Sequence, residues 1–325
     1  MTARSAAALP TLGQLEHAAG VVARTLSPTP QYRWPLLDEA LGARVWIKHE
    51  NHTPLGAFKV RGGLVYFHHL AEANPRPAGV VSATRGNHGQ SVAFAAGRLG
   101  IPATIVVPLG NSREKNAAMR ALGARLVEHG EDFQAAREHA VALAAHHNLH
   151  MVPSFHPLLV QGVAGWALEL LRAAPGIEVL YVPIGLGSGI CGAIAAREAL
   201  GLAVEIVGVT STAAPAYADS FALGEAVQRP VSATLADGLA CRTPEPAALE
   251  IIRAHATRIV EVTDEDVAEA MRLLFSATHN VAEGAGAAGV AAMLRERPRI
   301  VGRKVATVLC GGNVDREVFA RVLAG

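Results

Sequence analysis

The chain has 325 residues, 50% of them hydrophobic and 18% charged, with 32 glycines and a formal net charge of +1. That much apolar side chain builds a sizeable core in one large or two medium domains, which excludes disorder as the main description. The near-neutral balance gives no electrostatic case for nucleic acid or a membrane surface, no apolar run approaches the roughly 18 residues of a membrane span, and Cys191, Cys241 and Cys310 are too widely spaced for a disulfide framework or a zinc ribbon.

In chain order, Met1 to Pro10 carries one arginine and a short Ala/Leu run, less than the apolar core of a signal peptide, so a cytoplasmic protein is expected. Thr11 with Gln14 forms a capping box that opens a helix. The segment from Lys48 to Gly62 then sets Phe58 and Lys59 after a glycine-containing turn. A lysine beside an aromatic there can hold its amine against a planar ring, although a lysine standing alone is ordinarily a solvated surface residue. Apolar runs over 80–83, 103–107, 124–127, 179–184, 204–209, 259–262 and 304–309 predict short buried strands. Helical candidates over 88–99, 113–122, 132–145, 158–172, 190–200 and 264–277 lie between them. Continuous rather than alternating apolar strands point to sheets covered on both faces, hence parallel strands with helical crossovers. The expected fold is α/β, with two open, twisted, parallel sheets.

Three turns in this series carry chemistry. Directly after the first predicted strand, Thr84-Arg85-Gly86-Asn87-His88-Gly89-Gln90 offers a hydroxyl, an amide and backbone N–H groups at a helix start, which suits a carboxylate and is equally an ordinary capped turn. Between strand and helix, Gly185-Leu186-Gly187-Ser188-Gly189 lets backbone N–H groups approach a phosphate. Gly187, Gly189 and Gly192 also satisfy GxGxxG, but the next strand ends Gly208-Val209-Thr210-Ser211 without the carboxylate that a dinucleotide ribose needs. Thr263 caps a helix whose first turn is Asp264-Glu265-Asp266, matching the helix dipole. At the last strand's end, Cys310-Gly311-Gly312-Asn313 places a cysteine that by itself reads as a small buried residue.

The order, spacing and strand context of these segments, from about Thr25 to Val322, resemble the fold-type II pyridoxal-phosphate enzymes of the threonine dehydratase and serine racemase group, with the tryptophan synthase β-like fold. The resemblance implies pyridoxal 5'-phosphate as cofactor, with Lys59 as the catalytic residue carrying it through a Schiff base. It further implies that Phe58 packs near the ring, Asn87 bonds its phenolic oxygen, Gly185, Leu186, Gly187, Ser188 and Gly189 cradle the phosphate, and Cys310 faces the pyridine nitrogen. Glu283 falls where relatives place an acidic residue near the ring. Thr84, Asn87 and His88 would bind the substrate carboxylate. An uncharged thiol at Cys310 makes a weaker electron sink than a carboxylate partner allows, which favours elimination over transamination. The domain division implied is a large cofactor domain of residues 1–76 and 152–325 around a small closing domain of residues 77–151, in a homodimer.

The chain departs from the resemblance at three places. Arg85 stands where serine racemases carry a serine that works on the face opposite the lysine. A guanidinium stays protonated and cannot be that base, so racemisation is disfavoured, and Arg85 either pairs with an anionic group of the substrate or simply points outward. Thr210, Ala214 and Ala216 replace the carboxylates of cation-binding relatives, so no metal is expected. Val160 to Gly165 differs from the usual Gly-Gln-Gly-Thr, which loosens any expectation about side-chain specificity. The reading is an ammonia-lyase that converts an L-β-hydroxy amino acid, threonine or serine by default, to a 2-oxo acid and ammonia. Alternatives are the same chemistry on 3-hydroxyaspartate or phenylserine, β-replacement as in cysteine synthases, or a non-catalytic amino-acid-binding regulator. Little chain follows the last motif, so feedback control by an appended domain is expected to be missing.

Overall fold

The computed structural model describes residues 9–232 and 234–325, so the stretch read above as lacking a signal core lies, as far as residue 8, outside the described residues. Strands β1 (Gln31–Arg33), β2 (Arg44–His49), β3 (Val80–Ala83), β4 (Ala103–Val107), β5 (Arg125–Glu128), β6 (His150–Met151), β7 (Val179–Pro183), β8 (Glu205–Ser211), β9 (Arg258–Val262) and β10 (Lys304–Leu309) form two sheets. The six-stranded sheet runs β1-β2-β10-β7-β8-β9 and the four-stranded sheet runs β5-β4-β3-β6. Apart from the antiparallel β1–β2 pair, every pairing is parallel. This is the α/β architecture with two parallel sheets that the buried apolar runs implied.

The seven strands read from apolar runs are present with ends shifted by a residue or two. The other three lack that signal for physical reasons. β1 is a three-residue, largely exposed edge, and β6 has two residues. β2 reads Arg-Val-Trp-Ile-Lys-His, and it buries Lys48 and His49 completely. Such burial requires partners, and the fold provides them. Lys48 Nζ donates to Thr29 O at 2.7 Å, Gln31 Oε1 at 3.0 Å and Glu169 Oε2 at 2.6 Å. Arg61 completes the cluster, with Nε 2.8 Å from Glu50 Oε2 and Nη1 2.7 Å from Glu169 Oε1.

Helices Lys59–Ala71, Pro157–Ala173 and Ser188–Ala199 pack side by side, the first also against the helix Asn87–Arg98, while Gly284–Arg295 lies against β7 and β10. Their close approach depends on missing side chains. A Cβ on Gly162 would stand 2.5 Å from the Arg61 carbonyl, and one on Gly192 would stand 3.0 Å from Ala164 N. The Val160–Gly165 segment is thus a helix-packing surface. It does not line the cavity described below, which answers the doubt raised by its altered sequence. The predicted capping box forms, with Thr11 N–H donating to Gln14 Oε1 at 2.9 Å, and the predicted Thr263 cap is a capping box as well, with Thr263 N–H donating to Asp266 Oδ2 at 2.8 Å. The cores are separate. Trp166, Tyr181 and Met271 sit in the large one, and Phe67, Ile105 and Met119 in that of the small sheet.

Candidate active site

Parallel α/β sheets place ligands beyond the carboxyl ends of their strands. β10 and β7 are neighbours, so Cys310 and the turn starting at Gly185 emerge side by side, and β3 brings the Thr84 loop from the small sheet. Between them lies a cavity of about 610 Å³. All the residues singled out from the sequence line it: Phe58 and Lys59, Thr84 and Arg85, Asn87 and His88, the turn from Gly185 to Gly189, and Glu283 and Cys310.

Phe58 precedes the helix of Lys59, and its N–H donates to the Cys310 carbonyl at 3.0 Å, tying that helix start to the end of β10. Lys59 Nζ lies 5.0 Å from the Phe58 ring centre and donates to Ser188 Oγ at 3.1 Å. Burial lowers the Lys59 amine from 10.5 to about 8, against the opposing pull of Cys310 and Glu283. A lysine in that range supplies neutral amine close to physiological pH. Burial, reinforced by Glu283, raises the Cys310 thiol well above its ordinary value, so the group facing Lys59 is an uncharged S–H.

Gly187 takes φ of +100° ahead of the Ser188–Ala199 helix, a conformation that glycine reaches without strain. A Cβ there would meet Ala248 Cβ at 2.6 Å, and one on Gly185 would meet the Gly238 carbonyl at 2.5 Å. The turn is therefore a bare backbone cradle at a helix N-terminus, built for an anion. Opposite it, Thr84 Oγ1 accepts from Gly86 N–H at 2.9 Å and Gly89 N–H at 3.2 Å. The ordinary turn-capping role is what the Thr84 oxygen performs, leaving its own O–H to donate. His88 is buried, and burial, with Lys59 adding to the effect, lowers its pKa to about 3. Its Nε2 has no partner in the protein.

Asn87 is held from both ends. Its Nδ2 donates to Glu283 Oε1 at 2.6 Å, and Asn313 Nδ2 donates to its Oδ1 at 2.8 Å, which fixes the amide's orientation. One N–H of Asn87 remains to bond a ligand. Glu283 in turn stands 3.1 Å from Lys115 Nζ, and Lys115 also reaches Asp237 Oδ2 at 2.9 Å. Burial works to lower the Lys115 amine, but Glu283 and Asp237 outweigh it and hold the ammonium above the ordinary lysine value. Burial raises the Glu283 carboxyl, with Lys115 pulling the other way. Sequence reading missed Lys115, Asp237 and the role of Asn313. Lys115 sits in an ordinary amphipathic helix, Arg113–Ala121, and its partners are more than a hundred residues away.

An amine of lowered pKa, a side-chain-free phosphate cradle and a neutral thiol in one cavity fit pyridoxal phosphate. Among the described residues no cluster of three or more His, Cys, Asp or Glu side chains could hold a metal ion, and no helix is long and apolar enough to cross a membrane.

Comparison with known proteins bears on this fit. Residues 22–311 match the family described as pyridoxal-phosphate dependent enzyme. The chain is 36% identical to the L-threonine ammonia-lyase of Thermotoga maritima over 89% of its own length and 72% of that protein. It is 31% identical to the L-threo-3-hydroxyaspartate ammonia-lyase of Saccharomyces cerevisiae over 98% of its own length and 97% of that one. Among solved structures, the processed form of threonine deaminase isoform 2 from Solanum lycopersicum superposes with a TM-score of 0.86 at 25% identity, covering 99% of this chain and 98% of that one.

Proposed function

The chain belongs to the pyridoxal-phosphate dependent enzymes, and from that premise we propose that it is an ammonia-lyase releasing a 2-oxo acid and ammonia from an L-β-hydroxy amino acid such as serine or threonine. Carrying this reading is the Lys59 amine, held near pKa 8 beside an uncharged Cys310 thiol and facing a helix N-terminus across the cavity. Pyridoxal phosphate, when bound, supplies an electron sink for the charge left as a proton departs from Cα.

The chain's own residues do the rest. Gly185, Leu186, Gly187, Ser188 and Gly189 would hold the phosphate through backbone N–H groups, with Phe58 beside the ring. Asn87 would bond the ring oxygen with its remaining N–H, while Glu283 and Asn313 keep that amide in place. Cys310 would present an uncharged S–H to the ring nitrogen. Thr84 O–H and the free N–H groups at the Asn87–Arg98 helix start take the substrate carboxylate, beside the buried neutral His88, whose ring N–H is turned to the Pro153 carbonyl. Lys59 Nζ then removes the Cα proton as general base. The Lys59 ammonium so formed, 3.1 Å from the Ser188 hydroxyl, passes that proton to the Cβ hydroxyl, which leaves as water. Hydrolysis of the released enamine returns the water, so the net loss is ammonia.

Residues 77–151 form the part that closes over the substrate, and residues 1–76 and 152–325 the part that binds the cofactor. A homodimer, which rests on the family alone, and the cytoplasmic location expected from the sequence complete the proposal; sedimentation tests the first. Oxo acid formed from serine or threonine without added nucleophile is the expected outcome for the loaded enzyme. Lys59→Ala should lose about 10³-fold or more in rate. Product that forms only when sulfide accompanies an activated serine would replace this reading with β-replacement.

A further inference from the structure

The charges that line the cavity do not balance pair by pair. Lys115 is taken by Asp237 and Glu283, and Arg242 Nη1 lies 3.3 Å from Asp132 Oδ2. Glu245 stands beside Tyr217 and Cys241, behind the glycine turn, where Tyr217 donates to the Leu186 carbonyl. Apart from the Lys59 amine, two lining cations remain, Arg85 in the loop after β3 and Arg137 at the exposed rim. Among the described residues neither has a carboxylate partner.

Arg85 is the more telling of the two. Its Nε is buried and has no hydrogen-bond partner in the protein. A buried guanidinium N–H without an acceptor bears its full desolvation penalty, and such groups in native structures call for a ligand or another explanation. The neighbouring donors are already suited to one carboxylate: Thr84 O–H and the helix N-terminus meet the α-carboxylate that every amino-acid substrate has. A further planar, permanently charged fork on the same wall matches a second carboxylate.

We propose that Arg85 is a specificity-determining residue that binds a second carboxylate of the substrate, so that the preferred substrates are dicarboxylic β-hydroxy amino acids of the 3-hydroxyaspartate type. This inference rests on the ammonia-lyase reading and narrows it. Arg137, at the rim, adds positive potential along the same entry path.

The test uses the cofactor-loaded enzyme and two readouts. Initial rates of 2-oxo acid release are measured on L-serine, L-threonine and both β-epimers of L-3-hydroxyaspartate, for the natural protein and for Arg85→Gln and Arg85→Lys. Binding of malonate and of acetate, neither of which can react, is measured by calorimetry on the same three proteins. The natural enzyme should favour a hydroxyaspartate epimer over serine in kcat/KM. Arg85→Gln should reduce that preference by about 10- to 100-fold, chiefly through KM, and should weaken malonate more than acetate. Arg85→Lys, which keeps the charge but not the fork, should fall between.

An equal loss for every substrate would overturn the proposal by placing Arg85 on the α-carboxylate, and no change in either readout would overturn it by placing Arg85 outside the site. If no substrate yields oxo acid yet Arg85→Gln still weakens malonate selectively, the lyase reading fails while the dicarboxylate site stands.

Discussion

Arg61 and Lys115 are both buried cations held by two carboxylates, one beside the large sheet and the other on the wall of the cavity. Arg61 is 2% exposed and joins Glu50 and Glu169, with Lys48 sharing Glu169. Every member of that cluster lies in or beside the large sheet, and the cluster anchors the first turn of the helix that starts at Lys59. Lys115 belongs to a helix of the small sheet, but it reaches Asp237 and Glu283 beside the large one and touches Asn87 through Glu283. The same chemistry therefore does two jobs. Where all partners sit in or beside one sheet it anchors the start of the Lys59 helix. Where they span two sheets it links those sheets to the orientation of the Asn87 amide.

The difference can be broken experimentally. Arg61→Ala strands Glu50 in a dry interior and should destabilise the fold by about 3–5 kcal/mol, read as a shift of the chemical denaturation midpoint. Lys115→Gln should cost less stability, about 1–3 kcal/mol, because water entering the cleft can hydrate Asp237 and Glu283. Its loss should appear instead in kcat/KM, since Glu283 no longer has a fixed charge opposite it. Equal stability losses without loss of turnover in either variant would show that the two clusters do the same thing.

Acid sharpens the contrast by a smaller amount. His49, beside the Arg61 cluster, is lowered to about 4 by burial with help from His52, and His88, in the cleft, is lowered to about 3. Both are neutral in the folded chain and bind a proton near pH 6.5 when unfolded. The unfolded state thus holds more protons between those values, so stability is complete above pH 6.5 and declines as pH falls toward 4 and 3. Denaturation curves from pH 7 to 5 should show this slope. His49→Asn and His88→Asn should each flatten it by up to about one proton; a slope unchanged in both variants would mean the histidines are solvated.

How far the sequence disclosed all this follows the range of the interactions. β3, β4, β7 and β10 are apolar runs, and their composition alone made them legible. β2 was not, because Lys48 and His49 look like surface residues until Glu169 and Trp34 are folded against them. The glycine turn and the Asn87 loop carried a local signature, so the cavity's two poles could be read from the chain. Lys115, Asp237 and Asn313 could not, since their meaning exists only when segments from both sheets meet. Arg85 was visible as a departure, but the unpaired state of its buried Nε is a fact of the fold.

The visible absorbance spectrum of the purified protein supplied with pyridoxal phosphate, recorded before and after adding L-serine, L-threonine and L-3-hydroxyaspartate, tests the central claim most directly. A band of lysine-bound cofactor that shifts with substrate, decays as oxo acid accumulates and is missing in Lys59→Ala is the predicted result. A protein that gives no such band with the cofactor in excess, or a band that survives Lys59→Ala unchanged, would contradict the assignment of Lys59 and the lyase chemistry built on it.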